Sequence, residues 1–445
     1  MAVLLVASLA LAGCPFLPSA VKPTQMEMFP PVYRPEQPIA RSNIQYRHIG
    51  VGQQLQFDAS QSTGAQSYRW QVVQAPASSA ATFSPPDRTM SQFTIDKAGR
   101  YELRLTVRDA AGREDHFDIL VSTVLSDLPS VRFIALGDAG DGKAGQYRVA
   151  DGMKQVCAMK GCDFAIGVGD NIYPRGVQSI KDERFDKDFE TPYAQLDFPF
   201  YLVLGNRDTS GVRNGDGVYN YRGDIEVAYS KWKKKPSFRW QMPARYYHIG
   251  APVEQPQSQP LVDLYALDTT PLMSIADLPG YELHNIYERQ SRWLASEKAN
   301  SRAPWHIAFT HHPYRSNGTH GDAGNYDGLG GIGNSDKLQR LAGKYVKQLV
   351  EEQVCGDMDL FIAGHDHSLQ YLRPLPECGG TEFIVSGAGG RRDGRGAGET
   401  PAYWQQYDVN GFFHIAVVGD SLTVTAYTVD ENGQLQERYS RTRNK

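Results

Sequence analysis

The stretch Val131-Arg132-Phe133-Ile134-Ala135-Leu136-Gly137-Asp138 is a short apolar run that closes on a glycine and a carboxylate. A run of this length, rich in branched and aromatic side chains and ended by a turn signal, reads as a buried strand. The same phrase returns along the chain. Phe164–Val168 leads into Gly169-Asp170-Asn171-Ile172-Tyr173, and Phe200–Leu204 into Gly205-Asn206-Arg207-Asp208. Ile307–Thr310 leads into His311-His312-Pro313, and Leu360–Ala363 into Gly364-His365-Asp366-His367. Leu261–Leu267 and Phe383–Val385 read as further strands, and residues 412–428 as two more separated by Gly419-Asp420. Helical periodicity appears around 145–159, 285–299 and 335–353. Strands alternating with helices predict an α/β domain over residues 130–445.

In open α/β sheets, ligands gather outside the carboxyl ends of strands, where each of these polar groups falls. A glycine before the polar group lets the backbone turn sharply and approach a ligand closely. Taken by residue type, Asp138, Asp170, Tyr173, Asn206, His311, His365 and His367 form a mixed oxygen and nitrogen set without a thiolate. Such a set suits Fe, Zn or Mn. Seven ligands suffice for two ions if one carboxylate bridges them, and paired ions about 3.5–4 Å apart are a recurring device for phosphoester hydrolysis. Any one of these residues alone is an ordinary turn or core residue; the five blocks in this order are not.

These blocks resemble those of the calcineurin-like metallophosphoesterase superfamily. Tyr173 in the second block narrows the likeness to the purple acid phosphatases. The segments GDNIYPRGVQSIKDERF (169–185), LDTTPL, GHDHSLQYL and SGAGG resemble the small, mammalian tartrate-resistant type, over roughly residues 131–430. The resemblance implies a four-layer sandwich of two facing β-sheets flanked by helices. It implies that Asp138, Tyr173 and His367 bind Fe(III), that Asn206, His311 and His365 bind a divalent ion (Fe, Zn or Mn), and that Asp170 bridges the two. The implied activity is release of inorganic phosphate from phosphomonoesters by hydroxide that the metal pair supplies. His320, nine residues after His311, falls at the offset of the family's proton donor. Asp208 completes the third block and is grouped with the catalytic residues.

The chain departs from the family pattern twice. Arg207 stands where the family has a histidine that touches phosphate and assists proton transfer. A guanidinium cannot deliver a proton, but it can grip a phosphate oxygen. Ala139 stands where the mammalian-type group has a tryptophan, which changes packing and removes no ligand. Residues 318–334 hold seven glycines with His320, Asp322 and Asp327, and read as a polar loop beside the site. Lys231, Lys233, Lys234 and Lys235, and separately Arg391, Arg392 and Arg395, form basic clusters that steer anions or simply face solvent. His306, His312 and His414 read as structural.

The 445 residues hold two or three domains by length, and 41% hydrophobic with 22% charged places them among globular proteins. Lys+Arg 46 against Asp+Glu 50 excludes a strongly basic nucleic-acid binder. MAVLLVASLALAGC reads as an export signal over residues 1–13. Its Leu11-Ala12-Gly13-Cys14 ending resembles a bacterial lipobox, which implies a lipidated Cys14 and a membrane lipoprotein facing the periplasm or the cell surface. Residues 14–43 form a Pro-rich tether. Residues 44–125 alternate with period two, as in Tyr101-Glu102-Leu103-Arg104-Leu105-Thr106-Val107, and resemble a PKD-like immunoglobulin-type β-sandwich with Trp70 in its core and Tyr101 at its corner. Four cysteines remain beyond Cys14; of three possible pairings, Cys157 with Cys162 and Cys355 with Cys378 is preferred. A small phosphorylated substrate is the expected partner, and a monomer the default. A phosphodiesterase or nucleotide phosphatase on the same site, and a surface binding protein with a weakened dimetal domain, stand as rivals.

Overall fold

Alternating burial makes the first sheets. In Arg100–Arg108 the side chains of Tyr101, Leu103, Leu105 and Val107 point inward while their neighbours are partly or fully exposed, the period of a strand with one covered face. Strands Tyr46–Gly50, Glu114–Val124, Arg100–Arg108 and Ser67–Gln74 form one sheet in that order, and Gln54–Asp58, Met90–Thr94 and Phe83–Ser84 a second. Trp70 is buried between them, with its ring 5.4 Å from Phe57 and 5.5 Å from Phe83, and its indole N–H donates to Arg88 O at 2.8 Å. The Tyr101 hydroxyl accepts from the Lys97 amide, four residues upstream, at 3.0 Å.

These statements concern a computed structural model that describes residues 38–44, 46–124, 129–210, 221–252, 260–273, 283–326 and 342–445. The leader, Cys14 and most of the tether lie outside the described residues. No described helix is long and apolar enough to cross a membrane.

The sandwich packs against the rest of the chain. Arg47 and Asp163 form a buried ion pair at 3.6 Å, Phe117 meets Phe238 edge-on, and Arg41 donates to Lys233 O at 2.8 Å. The lysine run therefore lies at this contact and not beside the strand-end residues. Lys235 is buried there, and burial lowers its amine to about 8.

Beyond residue 129 the apolar runs pair into two seven-stranded sheets. The first runs Trp240–Gln241, Phe200–Leu202, Phe164–Gly167, Ser130–Leu136, Asn410–Val418, Ser421–Val429, Leu435–Asn444. The second runs Tyr247–Ala251, Val262–Ala266, Trp305–Phe309, Leu360–Ala363, Glu382–Ser386, Leu369–Leu372, Ala402–Gln406. Phe133, Ile166 and Ile415 of the first share one core with Ile307, Phe309 and Ile384 of the second, so the sheets face each other. Helix Ala144–Lys160 buries Val149, Met153 and Val156 against the outer side of the first sheet. Helices Leu283–Asn300 and Lys344–Gln353 pack Leu294, Val346 and Leu349 with Phe361 and Phe383 on the outer side of the second. The architecture is thus the expected mixed α/β sandwich of facing sheets. Disulfides Cys157–Cys162 and Cys355–Cys378 hold the end of one helix and the loop after another.

Candidate metal centre

The three parallel neighbours Ser130–Leu136, Phe164–Gly167 and Phe200–Leu202 end at one edge of the first sheet. Trp305–Phe309 and Leu360–Ala363 run parallel in the second and deliver His311 and His365 to the same place. Three of the residues that follow, Asp138, Asp170 and His365, sit at φ 55°, 54° and 70° although none is a glycine. Left-handed backbone at such residues is strained and persists only where the surroundings enforce it. The glycines before them explain the enforcement. A Cβ on Gly137 would strike Val168, one on Gly169 would strike His311, and one on Gly364 would strike the Asp138 carboxylate.

The polar atoms converge in two groups. Tyr173 Oη lies 3.2 Å from Asp138 Oδ1 and 3.3 Å from His367 Nε2, and His367 Nε2 lies 3.5 Å from Asp138 Oδ1. His311 Nε2 and His365 Nδ1 are 3.2 Å apart, and Asn206 Oδ1 is 2.9 Å from the first and 3.2 Å from the second. Asp170 stands beside both groups: its Oδ1 is 3.5 Å from His311 Nε2, and its charge helps raise the Tyr173 phenol.

These residues fit a pair of ions. Ligands about 2.1 Å from one ion stand about 3.0–3.4 Å from one another, close to the 2.9–3.5 Å found within the two trios. The tautomers are also set for ligation. His311 Nδ1 meets Val168 O at 2.9 Å and His367 Nδ1 meets Asp393 Oδ2 at 2.6 Å, so each ring donates outward from Nδ1 and turns its Nε2 inward. Burial keeps His365 neutral by pushing its pKa well below the usual imidazole range, with the neighbouring histidines adding to the effect. At His367 burial opposes protonation, but the hydrogen bonds to Asp138 and Asp393 outweigh it and lift the ring to about 9. Without a cation a proton serves as its counter-charge.

The other expected residues take distinct places. His320 lies at the partly open rim, its ring 5.0 Å from that of His365 and 5.4 Å from that of His367, with Nε2 3.5 Å from Asp393 Oδ2. Arg207 is partly exposed; its Nε is 3.8 Å from Asp170 Oδ2 and its guanidinium 5.6 Å from the Tyr173 ring. Asp208 corrects the expectation of a catalytic role. It is fully buried behind the ligands, and its carboxylate accepts the amides of Gly205, Asn171 and Ile172 at 2.7, 3.1 and 3.0 Å. Its geometry makes it a positioning residue for two of the ligand loops. Ala139 packs beneath Gly389 and Gly390. Asp322 turns to the Ser316 amide at 2.6 Å, and Asp327 lies outside the described residues.

Sequence reading missed Asp393, although it lies seven residues past the strand Glu382–Ser386, in the glycine-rich run whose first half, SGAGG, was noted. It also placed His312 among the structural histidines. That ring is buried 4.7 Å from His365 with Nδ1 2.9 Å from Thr269 Oγ1, while its Nε2 has no hydrogen-bond partner among the described residues.

Fold and site together define a metal-dependent phosphoesterase. The chain matches the calcineurin-like phosphoesterase family over residues 131–369, more than half its length, and it belongs to that family. Among curated relatives it is 26% identical to tartrate-resistant acid phosphatase type 5 of Oryctolagus cuniculus, across 70% of this chain and 91% of that one. It is 30% identical to purple acid phosphatase 17 of Arabidopsis thaliana, across 59% and 69%. Among solved structures, GAP50, described as the anchor in the inner membrane complex of Plasmodium, superposes with a TM-score of 0.54 at 20% identity, over 71% of this chain and 89% of that one.

Proposed function

We propose that this phosphoester hydrolase is an acid phosphatase that releases inorganic phosphate from small phosphomonoesters. The observation that carries the reading is the pair of ligand trios with Asp170 beside both. Asp138, Tyr173 and His367 would hold Fe(III), Asn206, His311 and His365 would hold a divalent Fe, Zn or Mn, and Asp170 would serve both. Two such cations neutralise an anionic ester and supply nucleophile at a pH where free hydroxide is scarce. The protein residues do the rest. Arg207 grips a phosphate oxygen at the open side of Asp170. His320 hands a proton to the departing alkoxide. Its contact with Asp393 orients the ring. Export and lipid anchoring through Cys14 belong to the same reading, and the two disulfides agree with an oxidising compartment.

The test is the ratio of rates on an aryl phosphomonoester and its aryl methyl diester, using the full chain loaded with iron and zinc. Faster monoester hydrolysis supports the proposal. A diester preference replaces it with a phosphodiesterase, and binding of phosphate without turnover replaces it with a binding protein.

A further inference from the structure

A chain of buried hydroxyls ends on His312, beside the trio of Asn206, His311 and His365. Thr310 Oγ1 donates to Leu267 O at 3.0 Å, which spends its one hydrogen. Thr269 Oγ1, 2.8 Å away, must therefore be the donor to Thr310. With its own hydrogen spent, Thr269 Oγ1 can only accept from the two groups of His312 that reach it, the amide at 3.3 Å and Nδ1 at 2.9 Å. His312 Nδ1 thus carries a hydrogen. The ring is wholly buried and has no carboxylate partner among the described residues, so it is neutral and its Nε2 is a bare acceptor.

His365 presents the complement. Its Nδ1 faces the other members of its trio, Asn206 Oδ1 and His311 Nε2, each at 3.2 Å. With Nδ1 serving as the ligand atom, the hydrogen of the neutral ring sits on Nε2. That atom is buried, and neither it nor His312 Nε2 has a hydrogen-bond partner among the described residues. A buried donor and a buried acceptor are both costly to leave unpaired. The two rings lie 4.7 Å apart, centre to centre, and are tilted by 56°. Hydrogen-bonded nitrogens stand about 3 Å apart, which puts the ring centres of such a pair about 5 Å apart. The neighbours do not compete for the acceptor. His311 has both nitrogens engaged, with Val168 O and with its trio, and Tyr326 spends its hydroxyl hydrogen on Pro313 O.

We infer that His312 is the outer partner of His365: its Nε2 accepts the Nε2 hydrogen of that ligand, which fixes the ring and makes Nδ1 a stronger donor to the divalent ion. This rests on the metal-pair reading above and adds a positioning residue to it. Ligating histidines pass their second N–H to a partner that orients the ring and raises its basicity. Here His367 has a carboxylate, Asp393 Oδ2 at 2.6 Å, and His311 has a carbonyl, Val168 O at 2.9 Å. His365 is the one ligating histidine that lacks such a partner among the described residues, and His312 fills that place with a third kind of acceptor. The threonine pair is what makes it one, because it holds the His312 hydrogen on the far side of the ring.

The experiment loads the full chain with iron and zinc and follows the retention of each metal against a graded chelator. It compares wild type with His312→Phe, His312→Gln and Thr269→Val. Phenylalanine fills the space of the ring without an acceptor, and glutamine returns an amide oxygen near the place of Nε2. Valine at 269 leaves the ring but frees its hydrogen to move to Nε2, where it would face a second donor. His312→Phe should weaken zinc retention by about 10–100-fold and leave iron retention unchanged. His312→Gln should restore most of the loss, and Thr269→Val should lose zinc with the imidazole still in place. Equal losses of zinc and iron in His312→Phe, or no recovery in His312→Gln, would overturn the inference and make His312 a packing residue. Unchanged zinc retention in His312→Phe would overturn it as well. If His312→Phe does not fold, Thr269→Val decides, and unchanged zinc retention there contradicts the inference. A wild type that takes up no zinc would remove the metal-pair reading itself, and the inference with it.

Discussion

His367 sets its Nδ1 2.6 Å from Asp393 Oδ2, and the carboxylate it leans on also stands 3.5 Å from His320. One acidic side chain thus orients a metal ligand and the candidate proton donor together. Burial opposes its ionisation, but hydrogen bonds from both rings hold the Asp393 carboxyl well below the usual carboxylate range.

Removing that support should loosen the metal site before it alters the fold. Outer partners of ligating histidines are worth about 10–100-fold in metal affinity. Asp393→Ala should lose iron by that factor in competition with a chelator while its Tm moves little. Unchanged iron retention would show that His367 does not need Asp393.

Metal loading should release protons. His367 is lifted to about 9 without a metal, and burial together with the charges of Asp170 and Asp138 raises the Tyr173 phenol well above its ordinary range. Both are protonated near neutrality and must give up that proton to bind a cation. Affinity should therefore rise with pH, more steeply below about 9, where both protons are released, than above it. Calorimetry at neutral pH in two buffers of different ionisation enthalpy measures the protons released. A value near zero would contradict the assignment of these two side chains.

A buried acidic pair lies behind the ligands. Glu226 is fully buried, its Oε1 has no hydrogen-bond partner among the described residues, and burial with the nearby charge of Asp208 raises its pKa well above the ordinary value. A carboxyl raised on folding contributes stability below its unfolded pKa of about 4.3 and loses it as pH climbs towards the folded value. Glu226→Gln should thus raise Tm relative to wild type near about pH 8 and do little near about pH 4, flattening the pH dependence. A gain confined to acid pH would reverse the assignment.

Arg207 makes a prediction about leaving groups. Restoring the family histidine with Arg207→His should speed hydrolysis of alkyl phosphates, whose alkoxide needs a proton, by more than it speeds hydrolysis of nitrophenyl phosphate. Equal changes on both would show that the guanidinium acts only through phosphate binding.

Much of this architecture was legible because each central strand is a short apolar run that ends on a polar block. Phe133, Ile166, Phe309 and Ile362 mark strands buried on both faces, and continuous burial leaves a continuous apolar signature. The candidate ligand set stood out for a related reason: Asp138, Asp170, Asn206, His311 and His365 all sit within two residues of a glycine or a strand end. What escaped lies mostly at the sheet edges. Ala402–Gln406 and Leu435–Asn444 carry half-exposed side chains, and Tyr247–Ala251 buries only alternate residues. The short interior strand Leu369–Leu372 also escaped, because it follows directly on the Gly364–His367 block. The helix Tyr221–Lys231 has a weakly patterned sequence and was missed as well. Asp208 misled because its position in a motif says nothing of where its oxygens point. Three backbone amides claim them, and only the folded chain brings the Asn171 and Ile172 amides to it. Asp393 was hidden in a glycine-rich run whose importance comes from its ties to Asp138 and His367.

The most direct test of the central claim is phosphate release from an aryl phosphomonoester by the full chain loaded with iron and zinc, beside Asp170→Ala treated identically, with bound metal measured in both. Two ions per chain and turnover in the wild type, with turnover abolished in Asp170→Ala, is the predicted result. Turnover that survives the loss of Asp170, or a metal-replete wild type that releases no phosphate, would contradict the account.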